Sequence, residues 1–355
     1  MGKGASRGNG MNYDVFMMLS VDALTNAAIY ALLALALVLV FTVTRVIFLP
    51  QGEFVAFGAL TLMGLQAGHT PATVWLLWGL AVLSACADVH ACWRNDEMDT
   101  LLKRLAWTFS APVLVLVALW LFPAVDQLAL VVQILLSLLI TFPMGIYLYR
   151  VVFQPVANQS NLFLLILAMA VHIAFLSLGL YMFGADANRT PNFTDGLVEM
   201  LGTFVSYQAL WIISVTVLVM VLLYVFFEKS FYGKALRATA VNRLGARLVG
   251  IPTEMAGKLA FGVAAFIGAL GGILASPLTL IYYDSGFLAG LKGFVAAIFG
   301  GLMSFPLAVV GALVIAFLET FGAFWASAYK EVIVFTLIIP ILLVRSIGAT
   351  HSDED

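Results

Sequence analysis

The chain has 355 residues, of which 63% are hydrophobic and only 10% charged, with a formal net charge of −2 and a mean hydropathy of +1.06. Soluble domains carry about 25% charged residues, so the composition excludes a water-solvated globule and leaves lipid as the solvent. The weak ten-residue alternating segments of a membrane β-barrel are absent from the sequence. Apolar runs of roughly 20 residues, enough to cross a hydrocarbon core about 30 Å thick, recur instead. The expected fold is therefore all-α: a polytopic transmembrane helical bundle of about 10–11 membrane segments, two of them short and broken or re-entrant.

In chain order, residues 1–20 read as a polar tail, opening on the glycine-rich "MGKGASRGNG", with Met11 as an alternative start. Membrane segments are predicted at 22–44, 54–69, 72–88, 105–122, 128–149, 161–182, 207–227, 259–281, 290–303, 306–325 and 331–346, within one membrane domain spanning 21–347. The run at 23–43 is too long for a signal-peptide core and no small-residue cleavage site follows it. Segments 54–69 and 290–303 are the short, glycine-rich ones. Residues 348–355 form an acidic tail.

Lys and Arg concentrate in short cytoplasmic loops. The 228–258 connection carries Lys229, Lys234, Arg237, Arg243, Arg247 and Lys258, and so is expected to face the cytoplasm. Alternation then places 183–206 outside as a polar cap, 89–104 and the C-terminus inside, and the N-terminus outside. Within the basic connection, Gly233 is expected to mark the bend out of the preceding span. Asn242 is placed to cap a short helix over 243–249 that stops at Gly250, with Pro252 beyond. Val241, Leu244 and Leu248 share one side of it; Arg243 and Arg247 pair on a neighbouring side. The local pattern fits an interfacial helix among anionic head groups as well as a docking helix for a cytoplasmic partner.

Two stretches suit a solute path. "LPQGEF" (49–54) and "GLKGF" (290–294) each precede a short glycine-bearing helix, and "EFVAFGAL" at 53–60 resembles "GFVAAIFGGL" at 293–302. Matching interruptions in two halves of a transporter point to a midplane binding site, where free N–H groups at half-helix starts suit a carboxylate. The candidate pathway residues are Gln51, Gly52, Glu53, Gly293, Phe294, Gly300 and Gly301. Glu53 in a first turn reads as a structural or gating residue. Glu319 reads as a structural acid, with Lys330 the expected partner or another cation in its place. Ala264, Gly268, Gly272 and Ser276 form a small-residue packing stripe, and His172 is expected as a hydrogen-bonded packing residue.

Other chemistries find little support. "CADVHAC" puts Cys86 with His90 and Asp88 with Cys92 on different helix faces, so no metal site is expected. "FYGK" lacks the spacing of a phosphate-binding loop, and neither H-E-x-x-H nor G-x-S-x-G occurs. No basic, aromatic-interleaved surface suggests nucleic-acid binding. No cofactor is expected in the chain itself.

Several blocks together resemble the LivH-type permease subunits of bacterial branched-chain amino acid ABC importers. They are "AIYALLALALVLVFTVTRVIFLPQGEFVAFGAL", "FYGKALRATAVNRLGARLVGI" followed by "KLAFGVAAFIGALGGILAS", "GFLAGLKGFVAAIFGGLMSFPLAVVGALVIAFLETF" and "SAYKEVIVFTLIIPILLVR". The resemblance covers roughly 23–66 and 128–347. It implies a multi-pass protein of the bacterial inner membrane, and a coupling helix over 233–250 (Gly233, Arg237, Asn242, Arg243, Arg247 and Gly250) seated in an ATPase subunit. It also implies a second permease, two cytoplasmic ABC ATPases that bind ATP and Mg, and a periplasmic binding protein. Residues 70–127 then hold two spans more than the family norm, and Pro50 and Gln51 stand where members commonly carry Ala and His. The rival readings are a self-contained secondary transporter or channel, driven by a gradient, and an intramembrane enzyme.

Overall fold

A computed structural model of the protein describes residues 13–95, 98–200 and 202–343. The "MGKGASRGNG" segment and the acidic 348–355 segment lie outside the described residues. Helix α1 (Tyr13–Thr44) begins earlier than the expected first span and takes in the last part of the expected 1–20 tail. It is apolar on every side, as befits a helix surrounded by protein, and Leu32, Ala34 and Val38 are fully buried. At Arg45 the backbone turns left-handed (φ 62°), and residues 46–48 run back into the protein without helical structure. Val46 and Phe48 are buried there, with the Phe48 ring 4.5 Å from that of Phe261 and 6.1 Å from that of Phe153.

Helix α2 (Gln51–Gln66) starts inside the bundle rather than at its edge. Helices α3 (Thr73–Asn95) and α4 (Leu101–Leu121) follow, then α5 (Leu130–Leu148), which ends in a π-turn over Tyr149–Phe153, and α6 (Asn161–Phe183). The polar cap is partly β: strands β1 (Leu197–Met200) and β2 (Thr203–Ser206) pair antiparallel, Leu197 opposite Ser206. This hairpin is a small departure from a purely helical chain. Helix α7 (Tyr207–Lys229) leads to the short helices α8 (Phe231–Val241) and α9 (Arg243–Leu248). Helices α10 (Thr253–Ala275), α11 (Ser285–Phe299), α12 (Phe305–Ala326) and α13 (Lys330–Thr336) complete the described fold.

Among the described residues, eight helical stretches are long and apolar enough to cross a membrane. The expected polytopic helical class is borne out, with boundary corrections. The span expected at 259–281 is α10, which starts six residues earlier and stops at Ala275, where Ser276 and Pro277 lead out of the helix. The segment expected at 290–303 is α11, starting at Ser285. Helical structure from Phe305 to Leu343 is one stretch by composition but two by geometry. Ala326 leaves the helix (φ −149°, ψ 66°), and Ile333 packs back on Gly322, so the chain reverses there.

Glycine and alanine set the closest approaches. A Cβ on Gly272 would strike the Val55 carbonyl, one on Gly58 the Ala269 backbone, and one on Gly145 the Phe261 carbonyl. The stripe glycines Gly268 and Gly272 thus seat α2 on α10 within this chain, while Gly145 and Gly262 bring α5 against another side of α10.

Helices α3 and α4 pack on each other and on α5 at the flank. Their outer face is lipid-like, with Trp75, Trp107 and Trp120 each more than 70% exposed. Buried Asp88 pairs with Arg150 and accepts a hydrogen bond from Thr108 (3.0 Å), so a charged clasp binds α3 and α4 to the end of α5.

Candidate translocation site and coupling surface

The two short helices meet inside the bundle. The Gln51 side chain, at the start of α2, donates to the Ala264 carbonyl (2.8 Å), about halfway along α10. Gly52 lies against Gly286 so closely that a side chain on either would enter the other's backbone. Gly290, one turn further along α11, also rests on Gly52. From this junction α2 runs with α10 toward the hairpin end, and α11 runs toward the end that carries α8 and α9, where Met303 reaches Arg45 (3.9 Å). Two half-helices therefore start back to back; the irregular 46–50 backbone before α2 is covered by surrounding protein, whereas much of 278–284 before α11 is exposed.

Buried ionisable groups flank the junction. Glu53, fully buried in the first turn of α2, bonds His172 Nδ1 at 2.7 Å. His172 lies halfway along α6 and stacks on Phe287, in the first turn of α11, at 4.3 Å between ring centres. One imidazole on α6 thus contacts both half-helix starts, by a hydrogen bond to α2 and a ring stack on α11. His172 is the hydrogen-bonded residue expected, although nothing in the sequence paired it with Glu53. On the other side, Lys292 Nζ donates to Glu319 (2.6 Å) and Glu331 (3.1 Å), and Tyr30 donates to Glu319 (2.7 Å). Of the expected partners for Glu319, Lys330 or another cation, it is the other cation, Lys292, that pairs with it; Lys330 lies 4.0 Å from Glu331.

The candidate pathway residues divide. Gln51, Gly52 and Glu53 are at the junction. Gly293 and Phe294 lie inside α11 rather than before it, with Gly293 packed on Leu33. Gly300 and Gly301 follow the end of α11 in the turn to α12, away from the junction. The residues that actually face Gly52 are Gly286, Phe287 and Gly290. The sequence reading missed them because the helix start was placed five residues late.

The basic connection folds largely as expected. Asn242 accepts from the Gly245 N–H (2.8 Å) and caps α9; Gly250, at φ 83°, ends it. The bend after α7 is at Ser230, which caps α8 by accepting from the Gly233 N–H (2.9 Å). Gly233 is not the bend but the contact that permits it, pressed on the Phe226 carbonyl. Arg237 pairs with Glu228 (2.6 Å). Arg243 donates to the Ala157 carbonyl (3.1 Å) and Arg247 to Thr253 Oγ1 (2.9 Å), so both arginines hold α9 to its own chain. Val241, Leu244 and Leu248 stand outward, 86%, 69% and 80% exposed. The surface offered outward is apolar, framed by cations.

Half-helices meeting at mid-depth, together with a capped helix presented at one end of the bundle, define a membrane transport protein. The family described as "Branched-chain amino acid transport system / permease component" matches residues 104–342, and the chain belongs to it. The match begins within α4, so it takes in most of one of the two helices regarded as additional. The chain is 32% identical over 225 residues to the high-affinity branched-chain amino acid transport system permease protein BraD of Pseudomonas aeruginosa, covering 61% of this chain and 73% of the relative. It is 31% identical over 227 residues to the permease protein LivH of Escherichia coli K12, with the same coverage. LivH of Salmonella typhimurium gives 31% over 228 residues. No solved structure matches. The resemblance read from the sequence is borne out: this is the membrane-spanning permease component of an ABC transport system, a transport subunit and not its ATPase.

Proposed function

We propose that the chain imports branched-chain amino acids, or a related small solute, across the bacterial inner membrane, driven by ATP and Mg bound in two partner ATPases. A second, related permease completes the path, and a periplasmic binding protein delivers the cargo. The abutting starts of α2 and α11 at Gly52 and Gly286 carry this reading. Beside this close glycine contact lies the Glu53–His172 pair, and sliding of one half-helix on the other is the motion that would open or close a path. Helix α9 is the coupling helix. Its apolar face enters the ATPase, and Arg243 and Arg247 are positioning residues that fix α9 to the 157 turn and to the start of α10. Motion of the ATPase is thereby passed directly to α10, on which α2 is packed.

The test is uptake of labelled leucine into liposomes holding the assembled importer and its binding protein. ATP-dependent uptake is expected. Leu244→Asp with Leu248→Asp should abolish both uptake and binding-protein-stimulated ATP hydrolysis. Arg243→Glu with Arg247→Glu should leave ATP hydrolysis while uptake falls. Gradient-driven uptake by this chain alone, indifferent to ATP, would overturn the proposal in favour of a secondary carrier.

A further inference from the structure

A groove of about 800 Å³ opens between α4, the π-turn of α5 and the start of α10, at the end of the bundle that carries α8 and α9. Lys103, Arg104, Arg150 and Lys258 line it, with Glu254 the one carboxylate on its wall. Asp88 balances Arg150 from behind, and Glu254, which accepts from Gln154 (2.7 Å), is one negative charge against Lys103 and Lys258, so the groove stays net positive without counting Arg104. Neither Lys103 nor Lys258 is in an ion pair among the described residues. Trp107 forms part of the rim and is 80% exposed. Beyond it α4 presents Leu114, Val117 and Trp120 outward, an apolar track that winds round the helix away from the cations.

We infer that this groove binds the phosphodiester head group of an anionic phospholipid, its acyl chains lying along the outer face of α4. Four features fit that occupant together. Cations converge between membrane helices at the basic end, where anionic lipid is recognised. An interfacial tryptophan sits where head group meets tail. The apolar track would be an unsuitable wall for a free, fully hydrated anion. The groove also joins α4 to α10, the helix that α9 feeds, so a bound lipid bridges the flanking helices to the coupling end.

Native mass spectrometry of the full chain, released from nanodiscs of phosphatidylcholine with or without phosphatidylglycerol, tests the inference. Retained phosphatidylglycerol is expected, with little phosphatidylcholine. Lys103→Gln with Lys258→Gln should weaken retention by about 30-fold, on about 1 kcal/mol per cation near an anionic lipid. Lys229→Gln with Lys234→Gln, the same charge change elsewhere at that end, should leave retention within about twofold of the parent. If the first variant fails to fold, Lys103→Gln alone should still give a fivefold loss or so, on the same energy per cation. Equal retention of the two lipids, or equal loss in both double variants, overturns the inference. Stabilisation of the lipid-free chain by inorganic phosphate, with phosphatidylglycerol adding nothing, assigns the groove to a soluble anion and overturns it as well.

Discussion

Lys292 and Glu319 are each about nine-tenths buried as side chains, on helices surrounded by apolar groups. A lone charge in such a place costs several kcal/mol, and attraction repays that only when partners are close and hydrogen-bonded. Here they are, through Tyr30 and Glu331. Removing one partner strands the other: Glu319→Gln should destabilise the folded chain by about 3 kcal/mol, near the low end of the range because Glu331 still faces Lys292. Lys292→Met combined with Glu319→Leu should recover most of that loss. Unfolding midpoints in mixed micelles decide the matter, and a double variant as unstable as the single one would sink the pairwise account. The pair was not legible in the sequence. Lys292 lies in an apolar run whose register against α12 no local pattern fixes, whereas Lys330 is close to Glu319 only along the chain.

At the scale of elements, legibility followed the range of the interaction. The α9 cap was readable because Asn242, Gly245 and Gly250 settle it within nine residues. The start of α11 was not, since Asp284 makes no side-chain cap bond and Ser285 bonds the preceding Tyr282 N–H. Tertiary contact with Gly52 sets it instead. Glycines separate cleanly on the same principle. On α10, Gly272→Ala drives a methyl into the Val55 carbonyl, an overpacking expected to cost at least about 1–3 kcal/mol and to part α2 from α10. On α3, Gly79 has open space around its Cβ position, so Gly79→Ala should stabilise by about 0.5–1 kcal/mol. Thermal midpoints of the two variants should move in opposite directions; a shared direction would mean that helix propensity, not packing, governs these sites.

For the whole molecule, the order of helices was largely visible from hydropathy, and the orientation follows from where cations gather. The start of α1 lies beside the hairpin, with Tyr13 3.9 Å from the Cβ position of Gly202. The end of α1 comes out beside Met303 through Arg45. The irregular 46–48 stretch and α2 together return the chain to the hairpin end, so an interrupted segment crosses as a whole one and the parity of later helices is kept. Arg94, Lys103, Arg150, Lys234 and Arg243 then share the opposite end, and their excess of Lys and Arg predicts that this end faces the cytoplasm. Cysteine labelling checks this directly. Cys86 and Cys92 form no disulfide, and a Cys86→Ser, Cys92→Ser chain provides the background. In intact cells with a permeabilised outer membrane, a membrane-impermeant maleimide should label Tyr13→Cys, Gln127→Cys and Glu199→Cys. Leu102→Cys and Lys234→Cys should react only after the inner membrane is opened. Position 102 is the sharpest probe, because a flanking pair that merely dipped into the bilayer would leave it unlabelled throughout. Its reaction from the cytoplasmic side would establish that α3 and α4 both cross, and that the basic groove beside them faces the inner leaflet.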